Sequence, residues 1–165
     1  MMFAKGDIVL YHPSGVCEIT DIREERMAGT PADYYILKPI YQGGSTIYVP
    51  VDNERLTARM RPLLSPAKVN ALMAGKVAGV EWIEDSRERS ETYTRCLVEG
   101  DRAAAVGAIR LLVRHKAEVA QTNHKFYATD EKVLSAAEKM IGEEFGYVLK
   151  PEPRDIIDRL TACIV

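Results

Sequence analysis

Through roughly the first sixty residues, apolar and polar positions follow a two-residue rhythm that turn formers interrupt. Ile8 and Leu10 alternate with polar-facing neighbours, Pro13 to Gly15 supplies turn geometry, and Val16 to Ile22 resumes the strand pattern. The same reading gives strands over Asp7 to Tyr11, Val16 to Glu24, Tyr34 to Pro39 and Thr46 to Val51. Gly29-Thr-Pro and Gln42-Gly-Gly-Ser separate the later ones. This pattern predicts a five-strand or near-five-strand antiparallel barrel. So short a stretch yields a thin core, which favours a partly closed barrel that hides its own edges, with one edge left free.

The rhythm changes near Arg61-Pro62. Ser65-Pro66 sets a capping residue before a proline at the first helical position, and Gly75 is expected to end that short helix in the left-handed conformation. This helix, within residues 62–80, reads as a hinge or spacer. Asp85 with Glu88 resembles a capping box, and Tyr93 and Leu97 share a face until Gly100 stops the segment. Asp101 restarts a helix in which Val106, Ile109, Leu112 and Val113 point inward, leaving Arg110 and Arg114 on another side. Thr129 is expected to cap the next helix, striped by Leu134, Ala137, Ile141, Phe145 and Val148. Pro151 and Pro153 end it, and Arg154 to Cys163 forms a last short helix. The fold class is therefore α+β as two domains, a barrel over residues 1–61 and an all-α domain over 62–165.

Composition adds limits. The 165 residues, 47% hydrophobic with a net charge of -2, describe an ordinary soluble chain with room for one or two modest domains. No apolar run approaches the roughly 20 residues that span a bilayer, and no basic start precedes an apolar block, so no membrane association and a cytoplasmic location are expected. Cys17, Cys96 and Cys163 are odd in number and lack CxxC spacing, which argues against a disulfide framework or zinc site and for reduced thiols. From Ser65 onward, 15 Lys and Arg face 16 Asp and Glu, a nearly neutral half. Within Arg102 to Lys139 the count is 7 against 4, so positive charge gathers on two helices and their connection.

Catalytic chemistry finds little support. His12, His115 and His124 are scattered, no Gly-rich phosphate loop precedes a helix, and neither HExxH nor GxSxG occurs. Glu84-Asp85 and Glu143-Glu144 read as acids on solvated helix faces. No enzyme activity, metal or cofactor is expected.

The hairpin Phe3-Ala-Lys-Gly-Asp-Ile-Val-Leu-Tyr-His-Pro-Ser-Gly-Val, the Gly29 to Tyr35 stretch, Tyr48-Val-Pro-Val and the Gly100-Asp101 junction together resemble the CarD family of bacterial transcription regulators. The resemblance runs over nearly the whole chain. Its first half is also similar to the barrel within transcription-repair coupling factors. It implies a small Tudor/SH3-like antiparallel β-barrel that grips the RNA polymerase β subunit. The helical domain would contact promoter DNA, weakly and without sequence specificity, at the upstream edge of the bubble, modulating open-complex stability.

By position, the resemblance puts polymerase contacts at Glu25, Met27 and the strand Ile47, Tyr48, Val49, Pro50 and Val51, where an exposed edge can accept a partner strand. Some relatives carry arginines where this chain has Glu25 and Tyr48, so any ion pair there is rearranged or absent. Tyr48 reads equally as a cover for the barrel core. Trp82, the one tryptophan, corresponds either to the ring such proteins wedge against a base at the bubble edge or to a buried core residue. Arg87, Arg89, Arg114, His115, Lys116 and Lys125 are candidate phosphate contacts. The bland alternative pairs Arg87 with Glu84 or Glu91, and Arg114 with Glu118. A protein-only adaptor, whose barrel binds polymerase or another partner while the helical half recruits or dimerises, is the competing function. A free barrel edge also permits a homodimer by edge pairing or strand exchange.

Overall fold

The computed structural model describes residues 2–27, 29–75 and 79–162. Two units emerge, Met1–Leu63 and Leu64–Val165. The first holds β1 (Ile8–Tyr11), β2 (Gly15–Glu25), β3 (Ala32–Pro39), β4 (Ile47–Pro50), the single-turn α1 (Glu54–Thr57) and β5 (Met60–Pro62). All pairings are antiparallel in the order β4-β3-β2-β1-β5, so β4 and β5 are the outer strands. One buried cluster draws Val9 and Tyr11 from β1, Cys17 and Ile19 from β2, Tyr35 and Leu37 from β3, Val49 from β4 and Met60 from β5. A sheet whose two outermost strands reach the same core is curled around it. The bend is assisted by a register shift between Ile19 and Asp21, where the Thr20 hydroxyl donates to the Ile36 carbonyl at 3.2 Å. α1 escaped the sequence pattern because one turn carries no periodicity. Its cap is Asn53, whose side chain accepts from the Leu56 amide.

The second unit contains α2 (Pro66–Ala74), α3 (Ser86–Val98), α4 (Arg102–Ala120), α5 (Ala128–Leu149) and α6 (Pro153–Thr161). Ser65, Asp85 and Asp101 cap α2, α3 and α4, accepting from the amides of Lys68, Glu88 and Ala104. Between α3 and α4, Gly100 takes a φ of 71°; its amide donates to the Leu97 carbonyl while that of Asp101 donates to Cys96. These two bonds close the helix end in a geometry that a side chain at position 100 would strain. α5 is the hub, packing against α2, α3, α4 and α6.

Four expectations need correction. The helix read as a spacer is part of the helical unit: Val69 is fully buried, and Arg110 of α4 donates to the carbonyls of Met73 and Gly75 at its end. Gly75 is extended (φ -63°, ψ 137°) instead of left-handed, because Arg110 supplies the donor that a left-handed cap would otherwise supply from the backbone. α5 starts at Ala128 with Tyr127 at the cap and no side-chain cap bond, so Thr129 lies inside the first turn. Glu143 and Glu144 are buried, since α5 is surrounded on several sides. Cys163 and residues 76–78 of the expected hinge lie outside the described residues; Cys17 is buried, its Sγ donating to the Gly15 carbonyl at 3.6 Å, and Cys96 is half-buried. No described helix is long and apolar enough to cross a membrane.

Gly79 enters the unit so closely that a Cβ there would lie 2.5 Å from the Ala103 backbone carbon and 2.6 Å from the Ala104 nitrogen. Gly79→Ala must push the following loop off the start of α4 and should cost about 1–3 kcal/mol, measured by urea unfolding of the full chain.

Candidate functional site

The strand proposed for partner contact is β4, an outer strand whose inner side is taken by β3 in the register Tyr34 with Pro50, Tyr35 with Val49, Ile36 with Tyr48 and Leu37 with Ile47. Alternation divides its side chains. Val49 is fully buried and serves the core, and Ile47 and Val51 pack against that core. Tyr48 falls on the other side, half-buried, its ring edge-on to Tyr34 with centroids 6.3 Å apart. Tyr48 thus packs beside the buried Tyr34 on the face of β3 and β4 opposite the Val49 cluster. Val49 can offer a partner only its backbone.

Glu25 is the last residue of β2, paired with Ala32, and Met27 lies just beyond it at the far end of the β2–β3 ribbon. Met27 is 55% exposed. The Glu25 carboxylate accepts from Arg23 Nε at 2.7 Å, and the same guanidinium reaches Asp21 at 3.1 Å. Those bonds lower the Asp21 pKa, with the Arg23 hydrogen bond as the main cause. Glu25 thus joins a charge-compensated row along one strand face.

In the helical unit the decisive placement is Trp82, in the loop between Gly79 and α3. It is half-buried and outside the core. The Arg89 guanidinium carbon stands 4.3 Å from the indole centroid, and the His115 ring lies 4.6 Å away at a tilt of 43°. Phe126 continues the row 6.0 Å beyond His115, with Lys116 Nζ 5.4 Å from its centroid. Cation–π contact with an indole is favourable in both partly and fully desolvated settings.

Two hollows adjoin this ring, and Trp82, Glu84 and His115 line both. One, of about 290 Å³, continues past His124, Lys125 and Tyr127. The other, of about 280 Å³, continues past Arg114 and Glu118. Trp82 and His115 are thus a partition between two cavities on one surface.

The six candidate phosphate contacts separate clearly. Arg89 is 2% exposed and makes a two-pronged pair with Asp130, itself 1% exposed, through Nε at 2.9 Å and Nη2 at 2.7 Å. Its Nη1 donates to the carbonyls of Ile83 at 2.7 Å and Glu84 at 3.2 Å. Every donor edge is committed, so Arg89 as a phosphate contact is corrected to a buried structural cation; the Asp130 hydrogen bond raises its pKa further. Arg87 pairs with Glu91 at 3.2 Å, and Lys116 with Glu131 at 2.9 Å, both exposed and easily rearranged. Arg114 and Lys125 are exposed and have no carboxylate partner among the described residues. One lines each hollow.

Sequence pattern missed Asp130 and Glu144. Both lie on α5, and both answer an arginine from another helix: Glu144 accepts from Arg102 at 2.9 and 3.0 Å and from the Leu64 amide at 2.9 Å. A carboxylate interrupting an apolar stripe was the available signal. Among the described residues no cluster of metal-ligating side chains occurs.

Residues 3–64 match the family described as CarD-like/TRCF RID domain, which takes in the whole curled sheet from before β1 to beyond β5. The match supports a CarD-like family assignment and, with it, RNA polymerase interaction. No curated protein matches the chain.

Removing one partner of the buried pair strands the other charge in a low-dielectric site. Asp130→Ala should therefore lower unfolding free energy by about 3–5 kcal/mol. Lys116→Ala, which breaks an exposed pair, should cost under about 1 kcal/mol in the same chemical denaturation experiment.

Proposed function

We propose that this CarD-like RNA polymerase-interacting factor bridges the enzyme and promoter DNA, its sheet holding the polymerase β subunit and its helical unit touching the upstream edge of the bubble. It acts by binding and not by catalysis. The polymerase half of this reading is supported by the family match and by the outer position of β4, whose unpaired side can accept a strand while the half-buried Tyr48 beside it meets the partner. The observation that carries the DNA half is the Trp82 partition, an indole at the surface with one unpaired basic residue in the hollow on each side.

The energetics fit a two-site division of labour. Arg114 and Lys125 supply two phosphate contacts at most, and a near-neutral unit offers little long-range attraction, so DNA binding by the free protein is weak and salt-sensitive. Tethering to polymerase raises the local concentration of the helical unit without any new contact. Once there, an indole beside an unstacked base step favours the melted state, because the contact exists only after the step has opened. Net charge alone favours the adaptor reading, in which the helical unit meets protein only; the salt response below separates the two.

Trp82→Ala should shorten the lifetime of polymerase–promoter open complexes roughly fivefold or more, the equivalent of at least about 1 kcal/mol of lost stacking, while β-subunit capture stays unchanged. Arg114→Ala and Lys125→Ala should each flatten the slope of log affinity against log salt by about 0.9. An adaptor would show neither effect. Tyr48→Ala should weaken capture of the β subunit about fivefold in pull-down titrations, with thermal stability changed by under about 1 kcal/mol.

A further inference from the structure

We propose that Arg89 is a positioning residue for Trp82, and that with Tyr93 it forms a clamp that fixes the indole in advance of any partner; this rests on the reading of Trp82 as the DNA-facing ring. A pair joining α3 to α5 would need only the two bonds between Arg89 and Asp130. Arg89 does more. Its third nitrogen donates to the carbonyls of Ile83 and Glu84, just after Trp82, while the guanidinium carbon stands over the indole ring, 4.3 Å from its centroid.

One turn further along α3, the Tyr93 hydroxyl donates to the Glu81 carbonyl at 2.7 Å, just before Trp82. Tyr93 is 1% exposed, and burial raises its pKa, so the phenol stays a donor throughout the neutral range. The loop is thus gripped on both sides of residue 82 by two side chains from one helix, and the ring is gripped by one of them. Loop backbone held at three carbonyls has already lost the freedom that binding would otherwise have to remove. Trp82, so held, still lines both hollows.

Asp130 acts at one remove. It neutralises the guanidinium and fixes its plane, which lets a cation remain buried against the indole. Its two oxygens set the fork, and the fork sets the direction of Nη1 towards the loop.

The test replaces both members of the pair, Arg89→Met with Asp130→Leu, so that the helix contact persists as apolar packing and no charge is stranded. Trp82 is the sole tryptophan, so its emission reports the ring alone. In the full chain, acrylamide quenching of Trp82 should rise at least twofold while unfolding stays cooperative. Open-complex lifetime should fall to the Trp82→Ala level, and adding Trp82→Ala to the double variant should cause no further loss. Tyr93→Phe, which keeps the buried ring and removes only the bond to Glu81, should move quenching in the same direction by a smaller factor; it decides the matter if the double variant does not fold. Unchanged quenching in a folded variant overturns the clamp, as does a further loss on adding Trp82→Ala. If Trp82→Ala alone leaves the lifetime untouched, the DNA reading falls, and the quenching result still judges the clamp.

Discussion

A buried carboxylate is tolerated only when a cation or several donors answer it; α5 buries three, of which Asp130 near its start and Glu144 near its end tie it to other helices. Each of these two recruits an arginine from a different helix. Asp130 binds Arg89 of α3, and Glu144 binds Arg102 at the start of α4 together with the Leu64 amide that opens the helical unit. The fourteen-residue interval places the two sites about 21 Å apart along the helix. Apolar packing brings the helices together, but these fork-shaped pairs decide where along α5 each neighbour sits, because a shift of one turn would leave two charges unanswered. The Trp82 loop inherits its position from that choice.

The two units divide specificity between them by different physics. The sheet unit presents backbone groups on its outer strands with the half-buried Tyr48 beside them. Around its two hollows the helical unit presents one indole and two cations, Arg114 and Lys125, that have no carboxylate partner among the described residues.

Much of the fold was legible from sequence because its signals are local. Two-residue alternation marked β1 to β4, and Ser65, Asp85 and Asp101 announced three helix starts at the residues that cap them. What was hidden depends on tertiary partners. Arg89 looked like any surface arginine in an acidic-basic run, and nothing within that run reveals that Asp130, forty-one positions later, takes up its charge. Glu143 and Glu144 looked solvated because charged pairs usually are. Gly75 looked like a left-handed stop because the sequence could not show Arg110 supplying donors to that helix end. At the site, Trp82 and the basic residues were nameable, whereas the selection of Arg114 and Lys125 over Arg87, Arg89 and Lys116 required knowing which cations were already spent.

The outer strands are short, four residues in β4 and three in β5, and each closes on a proline, Pro50 and Pro62, which has no amide hydrogen to donate. A guest segment laid along β4 therefore finds a platform about one strand-turn long. Few main-chain bonds can form there, and a second copy of the same chain gains as little as any stranger. Fibrous self-association is discouraged by the same truncation. So short a ledge favours ready turnover of whatever occupies it.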